Sequence, residues 1–134
     1  MLRPASPADL PRLVAIRARA DSGALSDPAR ATDRILRGLI AAGAAMVWDE
    51  AGNIAGFVAV DDGMIHLLVD PVQRNRGVGR ALLAWACDGA KEAGHAEAIL
   101  ALPPGGTAER HYRAAGWSVA GASASGGLVL KKPL

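Results

Sequence analysis

The stretch Val69-Asp70-Pro71-Val72-Gln73-Arg74-Asn75-Arg76-Gly77-Val78-Gly79-Arg80-Ala81-Leu82-Leu83 has the residue types and spacing to hold a pyrophosphate. An apolar run, Met64 to Val69, reads as a buried strand, and a short basic segment follows it. Two glycines then open a strongly helical stretch. A helix N-terminus presents unpaired backbone N–H groups and the positive end of the helix dipole. Gly77 and Gly79 let a ligand approach that backbone, and Arg74, Arg76 and Arg80 add positive charge. With Asn75 and Val78 between them, residues 74–80 make an anion cradle. The plainer reading of the same residues is a tight strand-to-helix turn with a solvated basic face.

Two common nucleotide motifs do not fit. A Walker A loop needs Lys after its second glycine, and Arg80 follows Gly79 here. A dinucleotide fingerprint needs a third glycine where Leu82 stands. A second constellation lies downstream: Thr107-Ala108-Glu109-Arg110-His111-Tyr112-Arg113-Ala114-Ala115-Gly116-Trp117. Thr107 suits an N-cap, Gly116 suits a helix end, and Trp117 opens the next strand.

The elements that must position these residues follow from periodicity and punctuation. Met1 to Arg3 predicts a short strand. Ser6-Pro7-Ala8-Asp9 reads as an N-cap, a first-turn proline and a first-turn acid, ahead of a helix carrying Leu10, Leu13, Val14 and Arg17. Asp27-Pro28 predicts the start of a second helix with the stripe Ile35, Leu36, Leu39 and Ile40, ended by Gly43. Ala45 to Trp48 and Ile54 to Val60 form a hairpin around Glu50-Ala51-Gly52-Asn53, and Asp61-Asp62-Gly63 leads into the Met64–Val69 strand. A helix from about Val78 to Ala93 ends at Gly94. Ala96 to Leu102 is a buried strand parallel to Met64–Val69, the helix crossing between them. Pro103-Pro104-Gly105-Gly106 breaks the chain before the short helix. Trp117 to Ala120 and Leu128 to Lys131 close the sheet around a Gly/Ser-rich tip from Ala120 to Gly127.

Arg74-Asn75-Arg76-Gly77-Val78-Gly79 resembles the Arg/Gln-x-x-Gly-x-Gly/Ala motif of the GNAT N-acyltransferase superfamily. The Ala-to-Tyr helix ending in Gly-Trp resembles that family's second hallmark, in the expected order and separation. The likeness runs over essentially the whole chain, residues 1–134, as a single domain. It implies an α/β (α+β) fold: a central mixed, mostly antiparallel sheet of about seven strands, helices on both faces, and fourth and fifth strands splayed around acyl-CoA. By the same resemblance, backbone groups of Leu67, Leu68 and Val69 bind the pantetheine arm, and an N–H near Leu68 polarises the thioester carbonyl.

The resemblance implies acetyl-CoA as acyl donor and an amine as acceptor. Tyr112 matches the family position of the general acid, a phenol protonated at neutral pH; packing on an amphipathic helix is the alternative. His66 stands near the family's base position and is read either as that base or as a buried histidine bonded to a neighbouring strand. Asp61, Asp62 and Glu109 read as solvated carboxylates, His95 as structural, and Cys87, beside Trp85 in its helix, as a structural thiol. Two departures stand out. Gly105 occupies the place where the family often has Asn, and His111 the place of a Phe.

With 134 residues, half of them hydrophobic, the chain can build one core without disulfides. A net charge of +2 argues against a dedicated nucleic-acid binder. No His/Cys/Asp cluster has metal-ligand spacing, so no metal is expected. No membrane-spanning run or apolar leader is seen, so a cytoplasmic location is expected. A homodimer is left open. The function classes in play are an acetyl-CoA-dependent N-acetyltransferase, a non-catalytic acyl-CoA-binding module and, disfavoured by its missing motifs, a nucleotide-binding regulator. Arg17, Arg19 and Arg34 suit either a carboxylate-bearing acceptor or a solvated helix face.

Overall fold

The computed structural model describes residues 1–19, 26–27, 31–73, 77–104, 108–124 and 126–134. Arg74, Asn75, Arg76, Gly105 and Thr107, singled out above, lie outside the described residues, as do residues 20–25 of the first interhelical loop. The strands are β1 (Leu2–Pro4), β2 (Ala45–Glu50), β3 (Asn53–Asp61), β4 (Met64–Val69), β5 (Glu97–Ala101), β6 (Ser118–Ala122) and β7 (Leu128–Pro133). The helices are α1 (Leu10–Ala18), α2 (Asp33–Ala41), α3 (Val78–Glu92) and α4 (Glu109–Ala114).

All seven strands join one mixed sheet in the order β1-β2-β3-β4-β5-β7-β6. Every pairing is antiparallel except β4 with β5. That parallel pairing lasts only from Met64↔Ile99 to Ile65↔Leu100, whereas β3 and β4 stay in register from Asp61↔Met64 to Gly56↔Val69. The two central strands therefore splay beyond Leu100. Prolines bound both of them: Pro71 follows β4, and Pro103-Pro104 follow β5. Proline has no N–H to offer a ladder.

Alternating residues of β4 feed two cores. Ile65, Leu67 and Val69 pack with Val78, Leu82 and Ala86 of α3 and Tyr112 of α4. Leu68 packs on the other face with Leu13 and Ile16 of α1 and Leu36 and Leu39 of α2. A 3₁₀ turn at Pro7–Asp9 precedes α1, with Ser6 and Asp9 in a capping box. The chain's own choices differ from expectation in three places. The described second helix starts at Asp33, capped by the Thr32 hydroxyl accepting from the Ile35 N–H, while the Asp27 N–H bonds the Ala101 carbonyl of β5 and Pro28 lies outside the described residues. Ile35, expected in its apolar stripe, is exposed. β6 continues to Ala122, so its turn with β7 begins only at Ser123, whose N–H bonds the Gly127 carbonyl at 2.9 Å.

Gly56 on β3 is what lets α3 lie against the sheet. A Cβ there would stand 2.8 Å from Leu82 Cδ1, 3.2 Å from Val78 Cγ1 and 3.1 Å from the Leu68 carbonyl oxygen. Both side chains belong to the first two turns of α3, so this contact sets where its N-terminus sits. Gly56→Ala should lower unfolding free energy by roughly 1–3 kcal/mol through overpacking. Urea denaturation measures it, and an unchanged midpoint and slope would contradict the contact.

Candidate active site

The parity of the β3–β4 ladder decides which amides reach the splayed gap. The Asp70 N–H bonds the Ala55 carbonyl at 2.9 Å, so even-numbered β4 residues exchange bonds with β3. Odd-numbered ones, Ile65, Leu67 and Val69, turn their N–H and C=O groups toward β5. The Leu67 N–H indeed donates across the gap, to Ser26 Oγ at 3.0 Å, and Ser26 Oγ–H donates to the Leu67 carbonyl at 2.8 Å. The Leu68 N–H, expected to face the gap, lies on the β3 side. The signal was present in the sequence. A two-residue turn at Asp62-Gly63 makes Asp61 and Met64 the closing hydrogen-bonded pair, which sets the parity of everything beyond.

β4 ends at Val69, and after Asp70 a 3₁₀ turn, Pro71–Gln73, leads toward α3. Gly77 is the N-cap of α3 with φ 81°, a left-handed conformation that favours glycine. Val78, Gly79 and Arg80 form the first turn, with Val78 buried in the core and Arg80 exposed. The first-turn amides thus open at the end of β4 where the sheet splits.

Asp70, unremarked above beyond its place in the run, organises that end. Its carboxylate is 3% exposed. It accepts from Arg12 Nη2 at 2.6 Å, from Arg19 Nη1 at 3.2 Å and from the Val72 N–H at 3.1 Å. Burial alone would raise its pKa, but the Val72 amide and the Arg12 guanidinium outweigh it and hold the carboxyl below its ordinary value. α1 is thereby clamped to the turn that follows β4. Arg17 bonds the Ala31 carbonyl at 2.9 Å and pairs with Asp33 at 2.9 Å, joining α1 to α2. Of the three arginines considered for an acceptor, Arg17 and Arg19 are engaged within the fold, and Arg34 is exposed.

Tyr112 is 1% exposed and lies in the core that includes Leu67 and Val69 of β4 and Leu100 of β5. The end of α4 fixes it. The Trp117 N–H bonds the Tyr112 carbonyl at 3.0 Å and the Gly116 N–H bonds the Arg113 carbonyl at 3.2 Å, with Gly116 at φ 98°. This is a Schellman motif, and its hydrophobic contact is the edge-to-face pair of Tyr112 and Trp117, centroids 5.8 Å apart. The Gly-Trp sequence is therefore the clamp that orients Tyr112. Burial, with a smaller effect of Cys87, pushes the phenol above its ordinary pKa. Cys87 itself is half-buried, and burial raises its thiol pKa as well. His111 is exposed and meets the Tyr112 ring edge-on, with centroids 5.7 Å apart.

His66 is buried on β4 opposite Ala59. Sharing the parity of Leu68, it projects to the α1–α2 face, whereas Tyr112 lies on the α3–α4 face. The structure thus sets the two expected catalytic residues on opposite faces of the sheet, on either side of the split. Among the described residues, no group of His, Cys, Asp and Glu is arranged to hold a metal ion, and no helix is long and apolar enough to cross a membrane.

A mixed sheet that splits at a parallel pair, with a helix N-terminus beside the split, is the architecture expected of enzymes that take an acyl group from coenzyme A. The model of the acetyltransferase (GNAT) domain family matches residues 41–119, more than half of the chain. The chain belongs to the GNAT acetyltransferase family. It is similar in fold to the PaiA N-acetyltransferase of Thermoplasma acidophilum, solved with coenzyme A (TM-score 0.79, 16% identity, 100% of this chain and 98% of that one). It is similar likewise to the ribosomal-protein-alanine N-acetyltransferase of Brucella melitensis (TM-score 0.75, 23% identity, 100% and 99%). The N-acetylglutamate synthase of Neisseria gonorrhoeae, solved with coenzyme A and N-acetyl-glutamate, matches over 35% of its own length and 100% of this chain (TM-score 0.75, 20% identity). At these identities the likeness is one of fold. No curated protein matches the chain significantly.

Asp70 generates a pH prediction. A carboxyl with a depressed folded-state pKa contributes stability that is full above its unfolded value near ~3.9 and is lost as pH falls through the folded value. Asp70→Asn should cost roughly 1–3 kcal/mol at neutral pH by stranding Arg12. The gap between variant and wild type should close as the pH falls below about 4. Denaturant melts at several pH values measure this, and a gap independent of pH would contradict it.

Proposed function

We propose that this chain transfers an acetyl group from acetyl-CoA to a primary amine of a small molecule or peptide, by direct attack in a ternary complex. The observation that carries the reading is the split between β4 and β5, where Leu67 and Val69 direct their backbone groups away from β3. A pantetheine arm adds to that edge as an extra strand. The first-turn amides of α3 at Val78, Gly79 and Arg80, with Gly77, the basic Arg74 and Arg76 and the polar Asn75, take the pyrophosphate. The cradle and the strand edge meet where β4 ends, which suits one ligand running from phosphates to thioester.

The chemistry follows from the two faces. The Leu67 N–H replaces Leu68 as the donor to the thioester carbonyl, where negative charge develops. The amine approaches from the α1–α2 face, gives its excess proton to His66 directly or through water, and forms the C–N bond. The C–S bond breaks toward the α3–α4 face, and Tyr112 donates a hydrogen bond or proton to the departing sulfur. Acid and base on opposite faces suit a carbonyl held within the sheet. A non-catalytic acyl-CoA-binding module is the second reading, favoured by Gly105 standing in place of the family's Asn.

The test is Tyr112→Phe, which keeps the ring and removes the donor. kcat should fall roughly 10²-fold or more while acetyl-CoA affinity stays near wild type. Because burial raises the phenol pKa, Tyr112 stays protonated across the working range, so it should impose no descending limb below about pH 10. The ascending limb belongs to the amine or His66 and should survive the substitution. Undiminished turnover would overturn the acid role. A wild-type protein that binds acetyl-CoA and acetylates nothing in a broad amine panel would support the module.

A further inference from the structure

We propose that Ser26 and Asp27 form a strap that occupies the acyl-CoA groove and has to withdraw before the donor can bind. The proposal rests on the acyltransferase reading above and adds a built-in competitor to it. The two residues bridge the split between the central strands. Ser26 Oγ accepts from the Leu67 N–H at 3.0 Å and donates to the Leu67 carbonyl at 2.8 Å. The Asp27 N–H donates to the Ala101 carbonyl at 2.7 Å, one residue past the last parallel pair. Both residues are buried, at 5% and 3% exposure.

One side-chain hydroxyl thus takes the backbone groups that an added strand would pair with. The Leu67 N–H and C=O are the donor and acceptor that an extended arm would use on this edge. An oxygen 3.0 Å from the Leu67 nitrogen already stands where the thioester carbonyl oxygen would have to lie. The two occupants therefore exclude each other at the same backbone atoms. Without either, a buried amide and carbonyl in the middle of the sheet would lack partners, a costly state. A serine hydroxyl suits a temporary occupant, being neutral, small and able to donate and accept at once. In sequence, the two residues lie between α1 and α2.

Binding is then linked to release: the observed dissociation constant is the intrinsic one divided by the fraction of molecules with the strap withdrawn. Ser26→Ala weakens the strap's hold on Leu67 and should tighten acetyl-CoA binding roughly 5–10-fold by calorimetry, given the ordinary net strength of the lost hydrogen bonds. In wild type, saturation with acetyl-CoA should speed hydrogen exchange of the Asp27 amide, as that amide leaves Ala101. A Ser26→Ala protein that binds no tighter than wild type, or an Asp27 amide that stays protected in the saturated complex, overturns the strap and leaves the proposed function standing. Absence of acetyl-CoA binding in both proteins overturns both.

Discussion

Parallel pairing between β4 and β5 stops after Met64↔Ile99 and Ile65↔Leu100, and the rest of the molecule is arranged around the backbone groups this leaves to other partners. Antiparallel pairing on the far side of β4 holds that strand straight to Val69. β5 is held by β7 from Glu97↔Pro133 to Ala101↔Val129. Each central strand is thus fully supported on one edge and diverges on the other. Pro71, Pro103 and Pro104 cannot contribute N–H groups that would extend the pairing. A buried edge of this kind must find partners, and the chain supplies them from Ser26 and Asp27.

The helices hold the two sides of the split by different means. α3 is located by close packing, Val78 and Leu82 against the bare backbone of Gly56. α1 is located by charge, Arg12 and Arg19 on the buried Asp70. Asp70 also receives the Val72 amide, so one carboxylate ties a helix, a strand end and the turn toward the cradle. α4 has only the residues Glu109–Ala114 and depends on its C-terminal clamp and on Tyr112 in the core, with an exposed Glu109–Arg113 pair adding little. Rigid packing on the Tyr112 side and a displaceable contact on the Ser26 side give the split one firm wall and one that can move.

Much of this was legible in the residues. Met64–Val69 emerges with the bounds its apolar run suggested, and α3 begins at Val78 because a glycine in the left-handed region precedes it. The two hallmark segments could be read because their signals are local: glycines at turns, a basic run, an aromatic after a helix-ending glycine. What was harder to read depends on partners distant in sequence. Asp27-Pro28 carries an N-terminal helix signature as good as that of Thr32-Asp33, where the described helix begins, and nothing local separates the two. Ser26 has no local signature at all. Arg19 reads as a solvated helix face or an acceptor contact, and Arg12 carries no signal of its own, until Asp70 lies beneath them. The shift from Leu68 to Leu67 is a register effect, fixed at the turn from β3 to β4 rather than by either residue's type.

The central claim is that acyl-CoA lies along β4 through its odd-numbered amides and continues onto the first turn of α3. A titration of the isotope-labelled protein with acetyl-CoA, followed by amide resonances, tests it most directly. The Leu67, Val69, Val78 and Gly79 amides should shift together along one binding isotherm, while Leu68, bonded within the β3 ladder, changes far less. Saturable binding that moves amides elsewhere and leaves Leu67 and Val69 unchanged would contradict the account.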